Sequence, residues 1–509
     1  MKPTTIRSVI AASSVGTMIE WYDFYIFGML AKTISTQFFP EGNPTAALLS
    51  TLAIFAAGFI VRPFGALVFG RLGDLIGRKY TFLLTLVLMG GSTFLIGLVP
   101  GYKSIGIAAP ILVLLLRLIQ GLALGGEYGG AATYVAEHAP AGKRGFYTSW
   151  IQTTATLGLF IALGIIMLVK LNMSDSSFNA EWGGWRYPFW ISIVLVLISI
   201  YIRLKMKESP MFTKLKAEGK TSVNPLKESF RHKGNFKMVL LALFGAVMGQ
   251  GVIWYTGQFY AQNFLETKCN IEFEQSRTIL LWAIAFATPF FVFWGWLSDR
   301  IGRKWIMMAG MLLGVVLYRP IFSTFLKDSD AKEWMKQDLI VMKSDTVNRI
   351  NTDGSSLIDI TIRYKNYYGT NFTKTSTDTI FQIAGAKEHV KNRDKNPKFI
   401  DKKLNTEYYF KFIFLVWLMI LFVTMTYGPI AAFLVEMFPT KIRYTSMSLP
   451  YHIGNGVFGG LVPFIGLLLT TTFPGDPLVG LWYPIVVAAL CLVIGTIYLT
   501  NKIDKDVTD

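Results

Sequence analysis

Acidic and basic side chains interrupt the apolar runs in the first part of this chain. Glu20 and Asp23 lie in the first run, Arg62 in the second, and Arg117 and Glu127 in the fourth. Charged groups inside such segments are costly and are usually paired or functional. A carboxyl group that is alternately paired with arginine and exposed to water can take up and release a proton. Arginine keeps its charge and binds carboxylates in bidentate fashion. We therefore predict proton coupling at Glu20, Asp23 and Glu127, and binding of an anionic or zwitterionic ligand at Arg62 and Arg117.

A structural alternative stays open for these residues. Glu20, Asp23 and Arg62 could form a buried ion pair that only holds the first two helices together. Asp23 could be a structural acid beside Glu20, and Arg117 could be a helix-packing arginine.

The second half of the chain offers neutral polar and aromatic residues where the first half offers charges. Side chains that could line the same cavity are Gln250, Trp254, Tyr255, Gln258, Tyr427, Tyr451, His452 and Asn455. The predicted ligand-binding set joins Arg62 and Arg117 to Tyr22, Gln250, Tyr255, Tyr427, Tyr451 and Asn455.

The elements that must position these residues are membrane helices. The chain has 509 residues, of which 52% are hydrophobic and 16% charged, and its mean hydropathy is +0.44. This composition is typical of a polytopic membrane protein and excludes a soluble enzyme. Twelve apolar runs are near or above the ~20 residues that a spanning helix needs. They are 10–38, 46–69, 80–99, 107–136, 146–169, 187–204, 238–265, 279–298, 305–326, 411–435, 445–472 and 478–500.

The distribution of lysine and arginine predicts the orientation. Most basic residues in short loops fall on the side that carries both termini, so both termini should be cytoplasmic. The net charge of +17 follows from this asymmetry, and it does not require a nucleic-acid partner.

Two short segments repeat, which indicates an internal duplication. Gly70–Lys79 (GRLGDLIGRK) resembles Gly295–Lys304 (GWLSDRIGRK), and Glu137–Arg144 resembles Glu436–Arg443 over a longer spacing. Two copies of a six-helix unit, with an insertion between Lys304 and Glu436 in the second copy, account for both spacings. Duplication inside a membrane places the working site between the halves. The predicted parts are an N-terminal bundle 1–205, a cytoplasmic linker 206–237, a C-terminal bundle 238–500 and a cytoplasmic tail 501–509.

The insertion is the segment 327–410, which is rich in charge and has no spanning run. Its stretch Leu357–Tyr364 alternates with a period of two, which predicts a strand. We expect a small external domain that is dispensable for transport chemistry.

Several motifs together resemble a known family. The loops at 70–79 and 295–304, and Arg117–Gly121, are similar to signatures of the major facilitator superfamily. Glu20–Phe24 (EWYDF), Arg62–Gly65 (RPFG), Gly125–Ala131 (GGEYGGA), Glu208–Pro210 (ESP) and Phe438–Tyr444 (FPTKIRY) resemble its metabolite:proton symporters, which include permeases for α-ketoglutarate, shikimate, citrate, proline and betaine. The resemblance spans the whole chain except 327–410.

This resemblance implies an all-α membrane fold of two pseudo-symmetric six-helix bundles in a bacterial inner membrane. It implies proton-coupled import by alternating access, and Arg62 and Arg117 favour a small carboxylate-bearing metabolite as the substrate. A cytoplasmic charge latch is also implied, made of Gly70, Asp74, Gly77, Arg78, Glu137 and Arg144, with a second copy made of Asp299, Arg303, Glu436 and Arg443. An antiporter or exporter, and a sensor that uses the insert to bind an external partner, remain alternatives.

Cofactors and metals are not expected. Cys269 and Cys491 are the two cysteines, too few for a disulfide framework or a metal cluster. The expected partners are a small metabolite, protons and lipid. Gly121, Gly125 and Gly129 recur at four-residue spacing in the fourth run, which favours close helix packing.

Overall fold

The computed structural model describes residues 6–76, 78–126, 132–133, 135–136, 139–140, 142–205, 233–350, 356–366, 369–383, 386–390, 397–438 and 443–501. Gly77, Glu127 and Glu137 lie outside these ranges, as do most of the predicted linker and the tail. Gly70, Asp74, Arg78 and Arg443 lie in helices, but their side chains are outside the described part of the structure.

The first half of the chain is helical. Its longer helices are α1 (Ile6–Met29), α2 (Ala31–Phe38), α3 (Pro44–Ile60), α4 (Arg62–Ile76), α5 (Arg78–Ile96), α6 (Ala108–Gly125), α7 (Arg144–Leu171) and α8 (Tyr187–Lys205). Asn43 caps α3 by accepting a hydrogen bond from the amide of Ala46, with Pro44 at the first helical position.

In the described part of the second half there are helices and five strands. The helices are α9 (Lys233–Ala242), α10 (Met248–Tyr255), α11 (Ala261–Thr267), α12 (Phe273–Ala287), α13 (Pro289–Ile301), α14 (Lys304–Asp328), α15 (Thr406–Tyr427), α16 (Ile430–Met437), α17 (Arg443–His452), α18 (Val462–Thr472) and α19 (Trp482–Tyr498). The strands are β1 (Leu339–Ile350), β2 (Ser356–Asn366), β3 (Asn371–Ile383), β4 (Ala386–Val390) and β5 (Lys398–Lys403).

Ten helical stretches among the described residues are long and apolar enough to cross a membrane, and Leu83–Ile96 is a shorter apolar helix. Many of their apolar side chains are exposed, as expected of surfaces that face lipid. The fold is therefore that of a multi-pass, mostly helical membrane protein.

Close packing between α3–α4 and α6 depends on glycine. A Cβ at Gly121 would lie 1.8 Å from the carbonyl oxygen of Gly58, and one at Gly125 would lie 2.1 Å from that of Arg62. These contacts confirm the packing interpretation of Gly121 and Gly125. Gly129 lies outside the described ranges.

The chain divides into two compact units. One comprises Met1–Tyr260, Ile284–Tyr318 and Trp417–Asp509, and the other comprises Ala261–Ala283 and Arg319–Val416. The first unit holds all of the charged and aromatic residues singled out by the sequence.

The second unit contains the insert. Its antiparallel sheet has the order β1-β2-β3-β4, and β5 also pairs with β3. The strand predicted at 357–364 is confirmed within β2. Phe372 is fully buried, with ring centroids 5.9 Å from Trp334 and 5.5 Å from Tyr364.

The insert is fastened to the segment that joins α11 to α12. The amide of Lys402 donates to the carbonyl oxygen of Asn270 (2.9 Å), and the amide of Glu272 donates to the carbonyl oxygen of Lys402 (2.8 Å). Gln275 adds two side-chain hydrogen bonds to the backbone of Leu404, at 2.6 and 3.0 Å. The insert therefore packs as one unit with the ends of α11 and α12, because its backbone hydrogen bonds go to residues between and within these helices.

Candidate functional site

The central residues of the first unit lie where helices are interrupted. The interruptions are Val61 between α3 and α4, Gly428–Pro429 between α15 and α16, and the π-helical segments Leu243–Val247, Thr256–Tyr260 and Ile453–Gly459. π-segments often mark functional sites, and interrupted helices are typical of substrate sites in transporters.

Arg62 begins α4 at the first of these interruptions. It is fully buried, and none of its three guanidinium nitrogens hydrogen-bonds to any described residue. Its Cζ lies 4.1 Å from the ring centroid of Phe59, 4.5 Å from that of Phe24 and 5.1 Å from that of Trp21. The guanidinium is thus held by aromatic faces, with Tyr255 as a polar neighbour.

Tyrosines from both halves of the chain surround this charge. The electrostatic neighbours of Arg62 are Tyr25, Tyr255, Tyr427 and Tyr451. The hydroxyl groups of Tyr427 and Tyr451 are 2.7 Å apart. The structure therefore brings together Arg62 and three of the tyrosines that the sequence assigns to ligand binding.

A second polar pair lies on α10 and the π-segment after α17. Asn455 Nδ2 donates to Gln250 Oε1 at 2.9 Å, and both side chains are buried. Buried His452 lies near Arg62 and the backbone of Gly125. Gln250 and Asn455, which the sequence assigns to the lining of one cavity, are thus joined by a hydrogen bond.

Tyr25 is a residue that the sequence argument missed. Its ring lies 5.0 Å from Trp21 on its own helix, and 5.2 and 5.1 Å from Trp254 and Phe259 of the other half. The i, i+4 spacing from Trp21 was the available signal, since it places both rings on one helix face.

Arg117 makes contacts that fit the packing alternative. It is fully buried, and its NH1 donates to the carbonyl oxygen of Phe24 (3.2 Å) and to Gln120 Oε1 (2.8 Å). Gln120 in turn donates to Thr93 at 2.6 Å. Its NH2 donates to the carbonyl oxygen of Phe55 at 3.5 Å. Arg117 joins three helices, and these contacts engage both of its terminal nitrogens within the first half of the chain.

Tyr22 is likewise engaged away from Arg62. Its hydroxyl donates to the carbonyl oxygen of Pro188 at the start of α8, at 2.6 Å. Tyr22 therefore ties α1 to α8 in this conformation, although the sequence assigns it to ligand binding.

The two acids of α1 are both 1% exposed. Asp23 faces α5 and α8: a Cβ at Gly90 would lie 3.3 Å from Asp23 Oδ2, and Ser192 lies beside it. Neither oxygen of Asp23 accepts a hydrogen bond from the described residues, and Asp23 forms no ion pair there with Arg62. The arrangement that sequence spacing suggests, with both α1 acids facing the arginine, is therefore not present for Asp23 here.

A charge network joins the two halves at one end of the helices, which we call the latch end. Asp299 accepts hydrogen bonds from the amides of Gly145 (2.7 Å) and Phe146 (2.8 Å) at the start of α7. Arg303 donates to Asp299 at 3.0 Å and forms a bidentate pair with Glu436, at 2.6 and 2.8 Å. The carboxylates of Glu436 and Asp299 raise the pKa of Arg303, against the lowering effect of its burial.

Arg144 links this network to the first half, since its NH1 lies 3.8 Å from Glu436 Oε1. Four of the predicted latch residues are thus placed in one cluster: Arg144, Asp299, Arg303 and Glu436. A Cβ at Gly145 would lie 2.4 Å from the carbonyl oxygen of Gly295. Only a glycine pair permits this approach of α7 to α13.

Apolar contacts between the halves close the opposite end. Ala31, Leu48, Leu52 and Leu467 form a buried cluster, and Leu49 and Phe464 pack against it. Arg62 and its tyrosines are therefore enclosed between a polar contact at the latch end and an apolar contact at the other.

Solved structures with a similar fold exist. The proton:xylose symporter XylE of the major facilitator superfamily, bound to 6-bromo-6-deoxy-D-glucose, superposes with a TM-score of 0.66 at 15% identity, covering 99% of this chain and 98% of that one. The fold is that of a major facilitator.

Sequence comparison gives the family. Residues 9–233 match a family model described as sugar (and other) transporter, and residues 142–335 match one described as MFS/sugar transport protein. The inner membrane metabolite transport protein YhjE of Escherichia coli (strain K12) is 32% identical over 481 residues, 94% of this chain and 90% of that protein. The proline/betaine transporter of Salmonella typhimurium is 35% identical over 332 residues, covering 62% of this chain and 64% of that protein. The chain belongs to the major facilitator superfamily, and it is a membrane transporter and not an enzyme.

Proposed function

We propose that this protein imports a small carboxylate-bearing metabolite, an organic acid or a zwitterionic osmolyte, together with protons. Twelve membrane helices in two bundles, with both termini in the cytoplasm of a bacterial cell, would alternate between access to the two sides. The enclosure of Arg62 between the latch end and the opposite contact is what the occluded step of such a cycle would require.

The observation that carries the proposal is the buried guanidinium of Arg62. A buried charge without an opposite charge costs several kcal/mol, and a structure retains it where a ligand or a cycle step supplies that charge. A carboxylate can accept two parallel hydrogen bonds from guanidinium, which a neutral hydroxyl cannot do with the same strength. The facing hydroxyls of Tyr427 and Tyr451 would then bind the second polar part of the substrate.

Relatives support this substrate class. The proline/betaine transporter carries in its name two zwitterions, each with one carboxylate. The aromatic rings of Trp21, Tyr25 and Trp254 lie close to Arg62 or to one another, and aromatic faces suit the alkylated nitrogen of such a ligand.

Proton coupling is assigned to α1. An ionised carboxylate without hydrogen bonds is strongly disfavoured in an apolar interior, so Asp23 would carry its proton in this enclosed conformation. Release requires that water or a cation reach Asp23 in another conformation. Glu20 and Glu127 remain predicted members of the coupling set.

Thermal stability of the purified protein tests the binding step. A ligand at 100 times its Kd adds about 2.7 kcal/mol of stability. We expect organic acids and betaines to raise Tm, and their neutral alcohol or amide analogues to have little effect. Arg62→Met should abolish the ligand-dependent shift.

Arg186→Met is the matched control. Arg186 is also fully buried, but its guanidinium donates to the carbonyl oxygens of Gly97, Val99 and Glu181, at 2.8, 2.7 and 2.5 Å. Its loss should lower the Tm of the free protein and leave the ligand-dependent shift intact. Arg62→Met removes the cation–π contacts with Phe59, Phe24 and Trp21, so it should lower the Tm of the free protein less than Arg186→Met does. Stronger stabilisation by neutral sugars than by any carboxylate would overturn the proposal.

A further inference from the structure

β1 is an edge strand of the insert sheet. It pairs with β2 from Leu339 to Ile350, and the described strands place no neighbour on its other side. Residues 340–348 are all exposed. The exposed fractions of Ile340, Val341, Met342 and Val347 are 62, 57, 59 and 56%. A long exposed apolar edge is a template for another strand, because its backbone groups are unpaired.

Lipid does not account for this exposure. The side chains of Lys343 and Asp345 are 71 and 54% exposed, and they lie between the apolar residues of the same strand. A free strand edge cannot be satisfied by hydrocarbon. β1 therefore lies in water, where exposed apolar residues favour association.

The sequence of β1 is complementary to itself in one antiparallel register. With Ser344 on a two-fold axis, Lys343 of one copy lies opposite Asp345 of the other, and the same pair recurs on the far side of the axis. The pairing of β1 with β2 shifts register between Val341 and Lys343, so this match is carried by the regular part of β1 from Lys343 onward. Directly opposed charges and apolar pairs are the contacts that stabilise neighbouring strands.

Other registers lose this match. A two-fold axis on Lys343 or on Asp345 places like charges opposite each other, and an axis between residues leaves Lys343 opposite serine or threonine. Lys343 and Asp345 already contact each other within the strand, at 2.7 Å, so they share one face of the sheet. A second copy would place a further opposite charge beside each of them.

We propose that β1 pairs antiparallel with β1 of a second copy of this chain, with Ser344 at the two-fold axis, so that the two inserts form one continuous sheet. This interface is independent of the transport site, and it gives the insert a role as an association surface.

Cysteine cross-linking of the full-length protein in native membranes tests the register. Ser344→Cys should give a disulfide-linked dimer under mild oxidation. Cys269 and Cys491 are buried free thiols, and burial raises the pKa of the Cys269 thiol to about 12, so the wild-type protein should not cross-link. Arg363→Cys is the control. Arg363 is exposed one strand inward, on β2, and would lie at least about 14 Å from its copy, beyond disulfide reach.

Charge reversal supplies a second measurement. Lys343→Asp places like charges opposite each other twice, and it should raise the Kd for dimerisation in detergent about tenfold. The double variant Lys343→Asp, Asp345→Lys restores complementarity and should return the Kd to near the wild-type value. Absence of a Ser344→Cys dimer, equal cross-linking of Arg363→Cys, or an adduct only to a protein of another mass would overturn the proposal. Failure of the double variant to recover would also overturn it.

Discussion

Substitution of Asp299 by asparagine should open the latch end. Asp299 is the only side chain among the described residues that accepts hydrogen bonds from the first amides of α7, and it also accepts one from Arg303. Asparagine keeps the shape of the side chain, but it removes the charge and one of the two acceptor oxygens. The two halves would then lose contacts that exist only while this end is closed.

The size of the effect follows from these contacts. Hydrogen bonds to a charged group contribute about 1.5–3 kcal/mol each, and a carboxylate cap at a helix start contributes about 0.5–2 kcal/mol. Asparagine keeps one acceptor oxygen and therefore part of these hydrogen bonds, so the closed state should lose about 2–3 kcal/mol of stability in total. The ratio of closed to open molecules should therefore fall about 30- to 150-fold.

Spin labels at Lys143 and Ile301 measure the change, because these residues are exposed and lie beside the latch in different halves. Asp299→Asn should move the label distance distribution toward longer values. Arg300→Gln is the control, since Arg300 lies against the ring of Trp296, with 4.0 Å from its Cζ to the ring centroid, and no hydrogen bond of the network involves it. Identical distributions and transport rates in wild type and Asp299→Asn would refute the latch assignment.

Three further outcomes are expected. Gly295→Ala should open the same end, since its Cβ would lie 2.5 Å from Ser149 Cβ and overpacking costs about 1–3 kcal/mol; the same labels measure it, and an unchanged distance would contradict the close-approach argument. Asp23→Asn should abolish uptake driven by a pH gradient in vesicles while substrate exchange persists, because asparagine cannot carry the proton; concentrative uptake by this variant would exclude Asp23. Hydrogen bonds from Ser104 Oγ (2.5 Å) and the amide of Gly101 (2.8 Å) lower the pKa of Glu181, so its stabilising effect is present above its unfolded pKa and is lost as pH falls through the lowered value. The Tm difference between wild type and Glu181→Gln should therefore shrink on acidification, and a constant difference would contradict this.

The repeated motifs were the most informative part of the sequence. The loops Gly70–Lys79 and Gly295–Lys304 carried the resemblance to the family, and that resemblance implied a latch role for Asp299 and Arg303. Both residues carry a charge beside long apolar runs, where few partners are available. The local sequence was therefore enough to single them out as candidates for an ion pair. The bounds of the insert could also be predicted from the sequence, because its composition differs from that of its flanks.

The partners of individual side chains needed the tertiary structure. Sequence spacing placed Glu20 and Asp23 near Arg62, but Asp23 faces Gly90 and Ser192. Tyr22 and Arg117 bind backbone carbonyls within the first half of the chain. Tyr25 instead contacts Trp254 of the other half.

The physical reason is that periodicity fixes which residues share a helix face, but not which neighbour that face meets. Rotation and crossing of the helices are set by packing, here by glycines such as Gly121 and Gly125 that let backbones touch. The π-segments around Gln250 and Asn455 each shift the helical register, so the face on which a residue lies changes along the helix. The sequence thus determined the membrane class, the duplication and the charged residues inside the helices. Only the packing of the two halves decided that Arg62 meets aromatic rings from both halves, while Arg117 donates hydrogen bonds to backbone carbonyls of the first half.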